Sequence, residues 1–157
     1  METLIVYKSR HRGNTEKVAK VLAEVMSAKL LEVESVQPQD LSTYDLIGFG
    51  SGIYGGKHDR KLIKLIENMP PMNKNVFIFS TYGSFRESYH TLIKGKLAEK
   101  GCKVVGEFSC LGVHAGMLGL NRDVKGSLGW IVGMNKEHPD EKDLENARTF
   151  AKGLLHA

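Results

Sequence analysis

The sequence predicts an α/β fold in which one parallel sheet lies between two layers of helices. Short apolar runs of strand length alternate along the chain with segments whose apolar residues recur at helical spacing. Several of the runs are continuously apolar, as expected for strands that are covered on both faces. Right-handed crossovers between such strands give a three-layer αβα sandwich around a five-stranded parallel sheet of order 2-1-3-4-5.

The five predicted strands are residues 4–7, 30–36, 46–50, 76–80 and 104–108. Helical periodicity predicts helices around residues 18–26, 62–69 and 89–97. The last helix is predicted to begin at Pro139, since proline suits a first helical position, and Asp140 and Glu141 then favour the positive end of the helix dipole. Its predicted buried stripe consists of Leu144, Ala147, Phe150, Ala151 and Leu154.

Length and composition predict one globular domain spanning residues 1–157, because 41% hydrophobic and 25% charged residues exclude a disordered chain. Cys102 and Cys110 lack the close pairing of a zinc or iron–sulfur site, so we expect buried thiols at the two ends of a strand and no metal. The net charge of +4 is interspersed, which argues against nucleic acid as a partner. Without a membrane-length apolar stretch or a signal segment, a cytoplasmic protein with no membrane association is expected.

Ligands of such sheets bind beyond the carboxyl ends of the strands, where the strand order reverses. After the first strand, residues 8–15 form a loop with hydroxyl groups and a glycine that leads directly into a helix. Backbone amides and the dipole at a helix amino terminus bind phosphate. The alternative is that Asn14 or Thr15 serves only as a helix cap.

Two further loops at this edge combine small residues with an aromatic ring. Residues 50–56 follow the third strand and contain Tyr54, and residues 80–85 follow the fourth and contain Tyr82. Glycines let backbone approach a flat ligand, and the rings can cover it. Two such loops facing a phosphate loop are hard to explain as simple turns.

These motifs together resemble the flavodoxin-like proteins, whose small members bind FMN without covalent attachment. The resemblance covers the whole chain and depends most on residues 13–19, 50–54, 80–83 and the tail 138–144. It implies an electron-transfer flavoprotein that shuttles one or two electrons between redox partners, with no catalytic residue of its own and no metal ligand. The flavin carries the redox step in such proteins.

The resemblance also implies which residues hold FMN. The phosphate would lie against Ser9, His11, Arg12, Gly13, Asn14 and Thr15. The ring would lie between two groups, Ser51, Gly52, Ile53, Tyr54 and Gly55 on one side and Ser80, Thr81, Tyr82 and Gly83 on the other. Cys110, with Leu111 and Gly112, would close its far side. Gly55, or next Gly56, would be the residue whose peptide reorients as the flavin is reduced.

The chain departs from the family pattern in its charge. Its phosphate loop carries Arg10, His11 and Arg12, where small hydroxyl residues are commoner, and carriers of this family are typically acidic. The rim of the expected site is positive, with cations at Arg10, Arg12, Lys57, Arg60, Lys61 and Arg86 against Asp59 and Glu87. We therefore expect a redox protein partner with an acidic docking surface, and a chain that is a monomer or a weak dimer.

The main alternative is an NAD(P)H-dependent FMN or quinone oxidoreductase on the same fold. The long glycine-rich segment 111–138, with His114 and Trp130, could supply a lid or a dimer contact to such an enzyme. A phosphoryl-receiver domain needs acidic residues after strands one and three to hold magnesium, and this chain has Lys8-Ser9 and Ser51-Gly52 there. A binding module for a ligand other than flavin stays open.

Overall fold

Strands and helices alternate along the chain, whose computed structural model describes residues 1–10, 13–83, 87–112 and 138–157. The strands in these ranges are β1 (Thr3–Lys8), β2 (Lys29–Glu32), β3 (Leu46–Tyr54), β4 (Lys57–His58), β5 (Asn75–Tyr82) and β6 (Lys103–Leu111). The α-helices are α1 (Asn14–Met26), α2 (Arg60–Asn68), α3 (Thr91–Glu99) and α4 (Glu141–Leu155). Short 3₁₀ helices lie at Val33–Ser35, Pro38–Thr43 and Glu87–His90.

Five strands pair in parallel in the order β2-β1-β3-β5-β6. The two-residue β4 lies off this path and pairs antiparallel with the end of β3. Because the fourth and fifth predicted strands correspond to β5 and β6, the predicted order 2-1-3-4-5 is confirmed. All five parallel strands therefore end at one edge of the sheet.

Helices cover both faces of the sheet, which confirms the three layers. Buried side chains of α2 and α3 pack on one face, and those of α1 and α4 pack on the other. Successive residues of β5 alternate between the two cores, as the pleat requires: Val76 and Ile78 point to one, and Phe77 and Phe79 point to the other. None of the helices in the described ranges is both long enough and apolar enough to cross a membrane.

Glycines in β3 leave room for the phenylalanines of the neighbouring strand. A Cβ atom at Gly50 would lie 2.2 Å from Cε2 of Phe79, and one at Gly48 would lie 2.3 Å from Cζ of Phe77. Both rings are fully buried. The glycine run of the sequence thus begins inside the sheet, where it serves packing, before it reaches the edge.

The predicted bounds of two elements were wrong. The second strand ends at Glu32 rather than at residue 36, because the chain turns into a 3₁₀ helix that buries Val33 and Val36. The last helix begins at Glu141 and not at Pro139. Asp140 is its N-cap, and Asp140 and Asp143 accept reciprocal hydrogen bonds from each other's backbone N–H in a capping box.

Three strands continue further toward the edge than predicted. The third predicted strand stopped at residue 50, yet β3 runs to Tyr54, where it turns back through Gly55 and Gly56 into β4. Strand β5 reaches Tyr82, and β6 reaches Leu111. Most of the residues expected in loops after strands three and four are therefore held by strand pairing, which fixes their positions at the edge.

Candidate functional site

A narrow crevice lies at the carboxyl edge of the sheet, where the ends of β1, β3, β5 and β6 meet the start of α1. Its volume is about 30 Å³. Its lining combines the three predicted loops with the residue after β6: Arg10, Asn14, Thr15, Gly52, Ile53, Tyr54, Thr81, Tyr82, Gly83 and Gly112. The structure thus brings the predicted loops together at one point.

The start of α1 presents backbone amides to this crevice. Gly13 is the N-cap residue at φ 68°, in the left-handed region that favours glycine, and no side chain caps the helix there. Of the first-turn amides, that of Glu16 donates a hydrogen bond to Oγ of Ser9 at 3.3 Å. A helix start without a side-chain cap, beside a serine hydroxyl, is chemically suited to an anion such as phosphate.

The side chains that open α1 hold the crevice walls together. Nδ2 of Asn14 donates a hydrogen bond to the carbonyl oxygen of Gly112 at 2.7 Å. The hydroxyl groups of Thr15 and Thr81 share a buried hydrogen bond of 2.8 Å. The alternative that Asn14 or Thr15 serves as the helix cap is therefore wrong. Both residues lie inside the helix, and their side chains bind Gly112 after β6 and Thr81 of β5.

The β3–β4 hairpin forms one wall of the crevice. Its turn residues Gly55 and Gly56 have φ values of 59° and 80°, which a residue with a Cβ rarely adopts. The Tyr54 ring folds back over Gly52, where a Cβ atom would lie 2.6 Å from the tyrosine Oη. Burial, together with the nearby carboxylate of Asp59, raises the pKa of Tyr54.

Arg10 crosses the mouth of the crevice and closes it. Its guanidinium carbon lies 5.2 Å from the centroid of the Tyr54 ring, and its Nε lies 2.7 Å from Oδ2 of Asp59. The Asp59 side chain is fully buried, and its other oxygen accepts a hydrogen bond from the backbone N–H of Lys61 at 2.8 Å, which caps α2. Arg10 therefore neutralises a buried carboxylate that also anchors the helix after the hairpin.

Two histidines lie side by side beneath the crevice, with ring centroids 5.0 Å apart. Nε2 of His58 lies 3.1 Å from the carbonyl oxygen of Phe79, so this nitrogen carries the proton. Burial, with a smaller contribution from the neighbouring His90, lowers the pKa of His58 to about 4. His58 is therefore a neutral imidazole at neutral pH.

His90 connects a serine on β5 to a carboxylate on β6. Nε2 of His90 lies 2.7 Å from Oγ of Ser80, and Nδ1 lies 2.9 Å from Oε1 of Glu107. Burial would raise the pKa of Glu107, but hydrogen bonds from Lys94 and His90 lower it overall, so the carboxylate accepts and Nδ1 donates. Burial lowers the pKa of His90 against the opposing effect of Glu107.

This serine, histidine and carboxylate have the connectivity of a nucleophilic triad, but not its access. The Ser80 side chain is fully buried, and its hydroxyl also lies 3.0 Å from Oγ of Ser109. Because a substrate carbonyl cannot reach this hydroxyl, the cluster stabilises the ends of β5 and β6 and is not arranged for acyl transfer. The sequence signalled neither histidine, because 32 residues separate them along the chain.

The predicted ring-binding and phosphate-binding residues fall into three groups. Those that line the crevice are Asn14, Thr15, Gly52, Ile53, Tyr54, Thr81, Tyr82 and Gly83. Those that border it are Ser9, Gly13 and Gly55. Those whose side chains point into the protein are Ser51, Ser80 and Cys110: the Ser51 hydroxyl accepts from the backbone N–H of Asp59, and Cys110 packs in the core beneath α1 and α4.

Several predictions fall outside the described residues. His11 and Arg12 of the phosphate loop lie there, as do Arg86 of the rim and the His114 and Trp130 of the proposed lid. Arg10 of the phosphate loop and Gly112, which was expected with Cys110 on the far side of the ring, also line the crevice. Both cysteines are buried, as predicted, and burial raises the pKa of Cys110 to about 12, with Asp143 and Asp140 adding to it.

The residues present fit a phosphate-bearing planar cofactor in their chemistry. The helix start and the Ser9 hydroxyl suit the phosphate, and the glycine-flanked rings of Tyr54 and Tyr82 suit a flat group. The crevice volume of about 30 Å³ is far below the roughly 300 Å³ of common small-molecule sites. The crevice is therefore too small for such a ring while Arg10, whose side chain is 47% exposed, lies against the face of Tyr54.

Comparisons with known proteins agree with this architecture. The family model of the flavodoxin domain matches residues 4–120. An uncharacterized protein of Methanocaldococcus jannaschii is 41% identical over 157 residues, which cover 99% of each chain. Oxidised flavodoxin 1 of Bacillus cereus superposes with a TM-score of 0.71 at 17% identity, over 99% of this chain and 98% of its own. A Lactobacillus acidophilus flavoprotein in complex with FMN has a TM-score of 0.57 at 21% identity, over 69% of this chain and 92% of its own.

Proposed function

Because the chain belongs to the flavodoxin family, we propose that it binds FMN in the crevice and carries electrons between redox proteins. The observation that carries the proposal is the meeting of an uncapped helix start with two glycine-flanked tyrosines at the point where the strand order reverses. The similar flavoprotein of Lactobacillus acidophilus was solved with FMN, which supports the choice of cofactor.

The phosphate would lie at the start of α1. Gly13 leaves that end without a side-chain cap, so the amides of the first turn and the hydroxyl of Ser9 can donate to phosphate oxygens. The positive end of the helix dipole favours the dianion. The Thr15–Thr81 hydrogen bond holds this turn against β5, so that the amides and the ring wall keep a fixed separation.

The ring would lie between the hairpin wall and the end of β5. Tyr54 on β3 and Tyr82 on β5 both line the crevice, and Gly83 beside Tyr82 has no side chain to obstruct a flat ligand. Arg10 would move from Tyr54 toward the phosphate, a change that keeps its charge beside an anion.

The described lining fits a cofactor that carries the chemistry itself. Apart from Tyr54 and Tyr82, its described residues include no carboxylate, histidine or cysteine that could act as an acid, base or nucleophile. FMN supplies the redox chemistry when bound, and the protein positions it and controls access to it.

Titration with FMN and with riboflavin tests the phosphate site. The purified chain should quench FMN fluorescence with a 1:1 stoichiometry. It should bind riboflavin, which lacks the phosphate, at least about 100-fold more weakly, since losing two charge-assisted hydrogen bonds of about 1.5 kcal/mol each costs about 3 kcal/mol. Equal affinities for the two flavins would place the phosphate elsewhere, and no binding of either would end the proposal.

A pair of tyrosine variants tests the ring site. Tyr54→Ala removes the aromatic wall and should weaken FMN by about tenfold, in line with stacking energies of roughly 1 kcal/mol or more. Tyr44→Ala is the matched control, because Tyr44 lies two residues before the opposite, amino end of β3. Similar FMN affinities for both variants would remove Tyr54 from the site.

Steady-state kinetics separate a carrier from an NAD(P)H-dependent reductase. The holoprotein should oxidise NADPH at almost no measurable rate with FMN, quinone or oxygen as acceptor, and it should become active in electron transfer only when a reductase is added. Sustained NADPH oxidation by the purified chain alone would contradict the carrier and favour the enzyme.

A further inference from the structure

A wide groove lies on the face formed by α2 and α3. Its volume is about 730 Å³. We call it the lysine groove, because five cationic side chains lie along it: Lys57, Arg60, Lys61, Lys64 and Lys96. A single carboxylate, Glu67, joins them in the lining.

Most of this positive charge is uncompensated. Lys96 pairs with Glu67 at 2.8 Å, and Lys61 reaches Glu34 at 3.1 Å. Within the described part of the chain, Lys57, Arg60 and Lys64 have no carboxylate within ion-pair distance, and all three are exposed. The groove therefore carries a net positive field that an approaching molecule meets before contact.

The described helices on the two faces of the sheet differ in their balance of positive and negative side chains. Helix α2 has three cationic side chains and one carboxylate, whereas α1 and α4, on the opposite face, each have equal numbers of both signs. Among the described helices, the excess of positive charge therefore lies on α2 and α3, which share this face. A partner guided by charge would meet this face first.

The groove also offers an apolar contact within its ring of cations. Leu92 on α3 is 41% exposed, and Ile63 of α2 forms part of the same lining. An exposed leucine surrounded by charged side chains is typical of protein interfaces, in which an apolar centre lies inside a polar rim. Lysines, as hydrated and flexible point charges, suit such a rim better than a built phosphate site.

One end of the groove adjoins the crevice. Lys57 pairs with Tyr54 across the β3–β4 hairpin, so the first cation of the groove and the ring that lines the crevice are neighbours in the same ladder. The exposed turn of Gly55 and Gly56 lies between them. A protein seated in the groove would cover this turn and stand next to the crevice.

We propose that the lysine groove is the docking face for an acidic protein partner, and that docking there brings the partner to the crevice. The inference rests on the proposed electron-transfer function for its purpose, although the binding itself does not require FMN. Carboxylates of the partner pair with Lys57, Arg60 and Lys64, and an apolar side chain of the partner contacts Leu92.

Binding of an acidic redox protein tests this docking face. Dye-labelled plant-type ferredoxin, a small acidic iron–sulfur protein, is titrated with the chain, and fluorescence anisotropy is followed with and without FMN. Affinity should fall at least about tenfold as salt rises from about 20 mM to about 300 mM, because the Debye length shortens from about 20 Å to about 6 Å and the charges are screened. Basic cytochrome c, as the opposite-charge probe, should bind with no comparable salt dependence.

Two double variants with the same change in net charge locate the surface. Arg60→Glu with Lys64→Glu reverses two unpaired charges in the groove and should weaken ferredoxin about tenfold or more at low salt. Lys142→Glu with Lys152→Glu reverses two exposed charges on α4, on the opposite face, and should weaken it less than about threefold. Circular dichroism checks that both variants fold.

The possible outcomes distinguish an acidic protein partner from other occupants of the groove. Equal losses in the two double variants, or binding that ignores salt, would overturn the docking face. So would tighter binding of a 12-nucleotide single-stranded DNA than of ferredoxin, or self-association by sedimentation velocity that only the groove variant loses. Flavin absorbance is recorded for every variant. A chain that binds FMN but does not bind ferredoxin overturns the docking face alone. A chain that binds ferredoxin but cannot bind FMN overturns the proposed function alone.

Discussion

Replacing His58 by glutamine should make the free energy of unfolding much less sensitive to acid. The side chain is 2% exposed, and burial first, then the adjacent His90, lowers its pKa from 6.5 to about 4. The unfolded chain binds a proton at His58 below about pH 6.5, whereas the folded chain does not until about pH 4. Stability therefore falls as the pH falls through this window, and His58 has no effect on it above the window.

The size of the effect follows from the two pKa values. One pKa unit corresponds to about 1.4 kcal/mol, so by about pH 4.5 the proton binding of the unfolded chain should cost about 2 to 3 kcal/mol of unfolding free energy. This is a large share of the 5–15 kcal/mol that is common for whole domains. Neighbouring His90 and Glu107 titrate in both proteins, so the difference between wild type and variant isolates His58.

Urea unfolding followed by circular dichroism measures this difference. Wild type and His58→Gln are compared at about pH 7.5 and at about pH 4.5, and the wild type should lose about 2 to 3 kcal/mol more than the variant between them. His156→Gln, at an exposed residue near the end of the chain, is the matched control and should keep the wild-type profile. A variant profile as steep as that of wild type would show that His58 titrates alike in both states and would refute the reasoning.

Three other positions give simple tests of packing. Gly50→Ala places a Cβ atom 2.2 Å from the buried ring of Phe79 and should lower the free energy of unfolding by about 3 kcal/mol. Gly95→Ala, with open space around it in α3, should raise the free energy of unfolding by up to about 1 kcal/mol. Thermal melts that rank the two variants the other way would contradict the strand packing. Cys110 is 5% exposed and burial raises its pKa to about 12, so mass spectrometry should find no iodoacetamide adduct there at about pH 8 in the native protein and full labelling in urea, and native labelling would contradict its burial.

The sheet order could be read from the sequence because each link of that inference is local. Apolar runs separated by helical periodicity require crossovers, and crossovers of one hand allow few arrangements. The place of the crevice followed from the same order, since it lies where the connections leave the first strand in opposite directions. For this reason the loops after β1, β3 and β5 could be named before any contact between them was known.

The pairs that close and support the crevice could not be read in this way. Arg10 meets Asp59 and His58 meets His90 only because β1, β3 and β5 are aligned in a particular register. Register depends on pairing along whole strands and leaves no mark on any single residue. The continuation of β3 through Gly52 was missed for a related reason: glycine has low strand propensity, and pairing with β5, through Gly52 and Thr81, overrides it.

Three successive residues after the hairpin turn connect the features described above. Lys57 faces the groove, His58 enters the buried cluster, and Asp59 pairs with Arg10 at the mouth of the crevice and caps α2. Because they share one short segment, a movement of the hairpin shifts all three environments together. Displacing Arg10 from Tyr54 would expose the buried charge of Asp59, and burying a lone carboxylate is costly. A movement of Arg10 toward a bound phosphate therefore costs the Arg10–Asp59 ion pair, which lowers the affinity of the crevice, and a partner in the groove acts on the same hairpin from its other side.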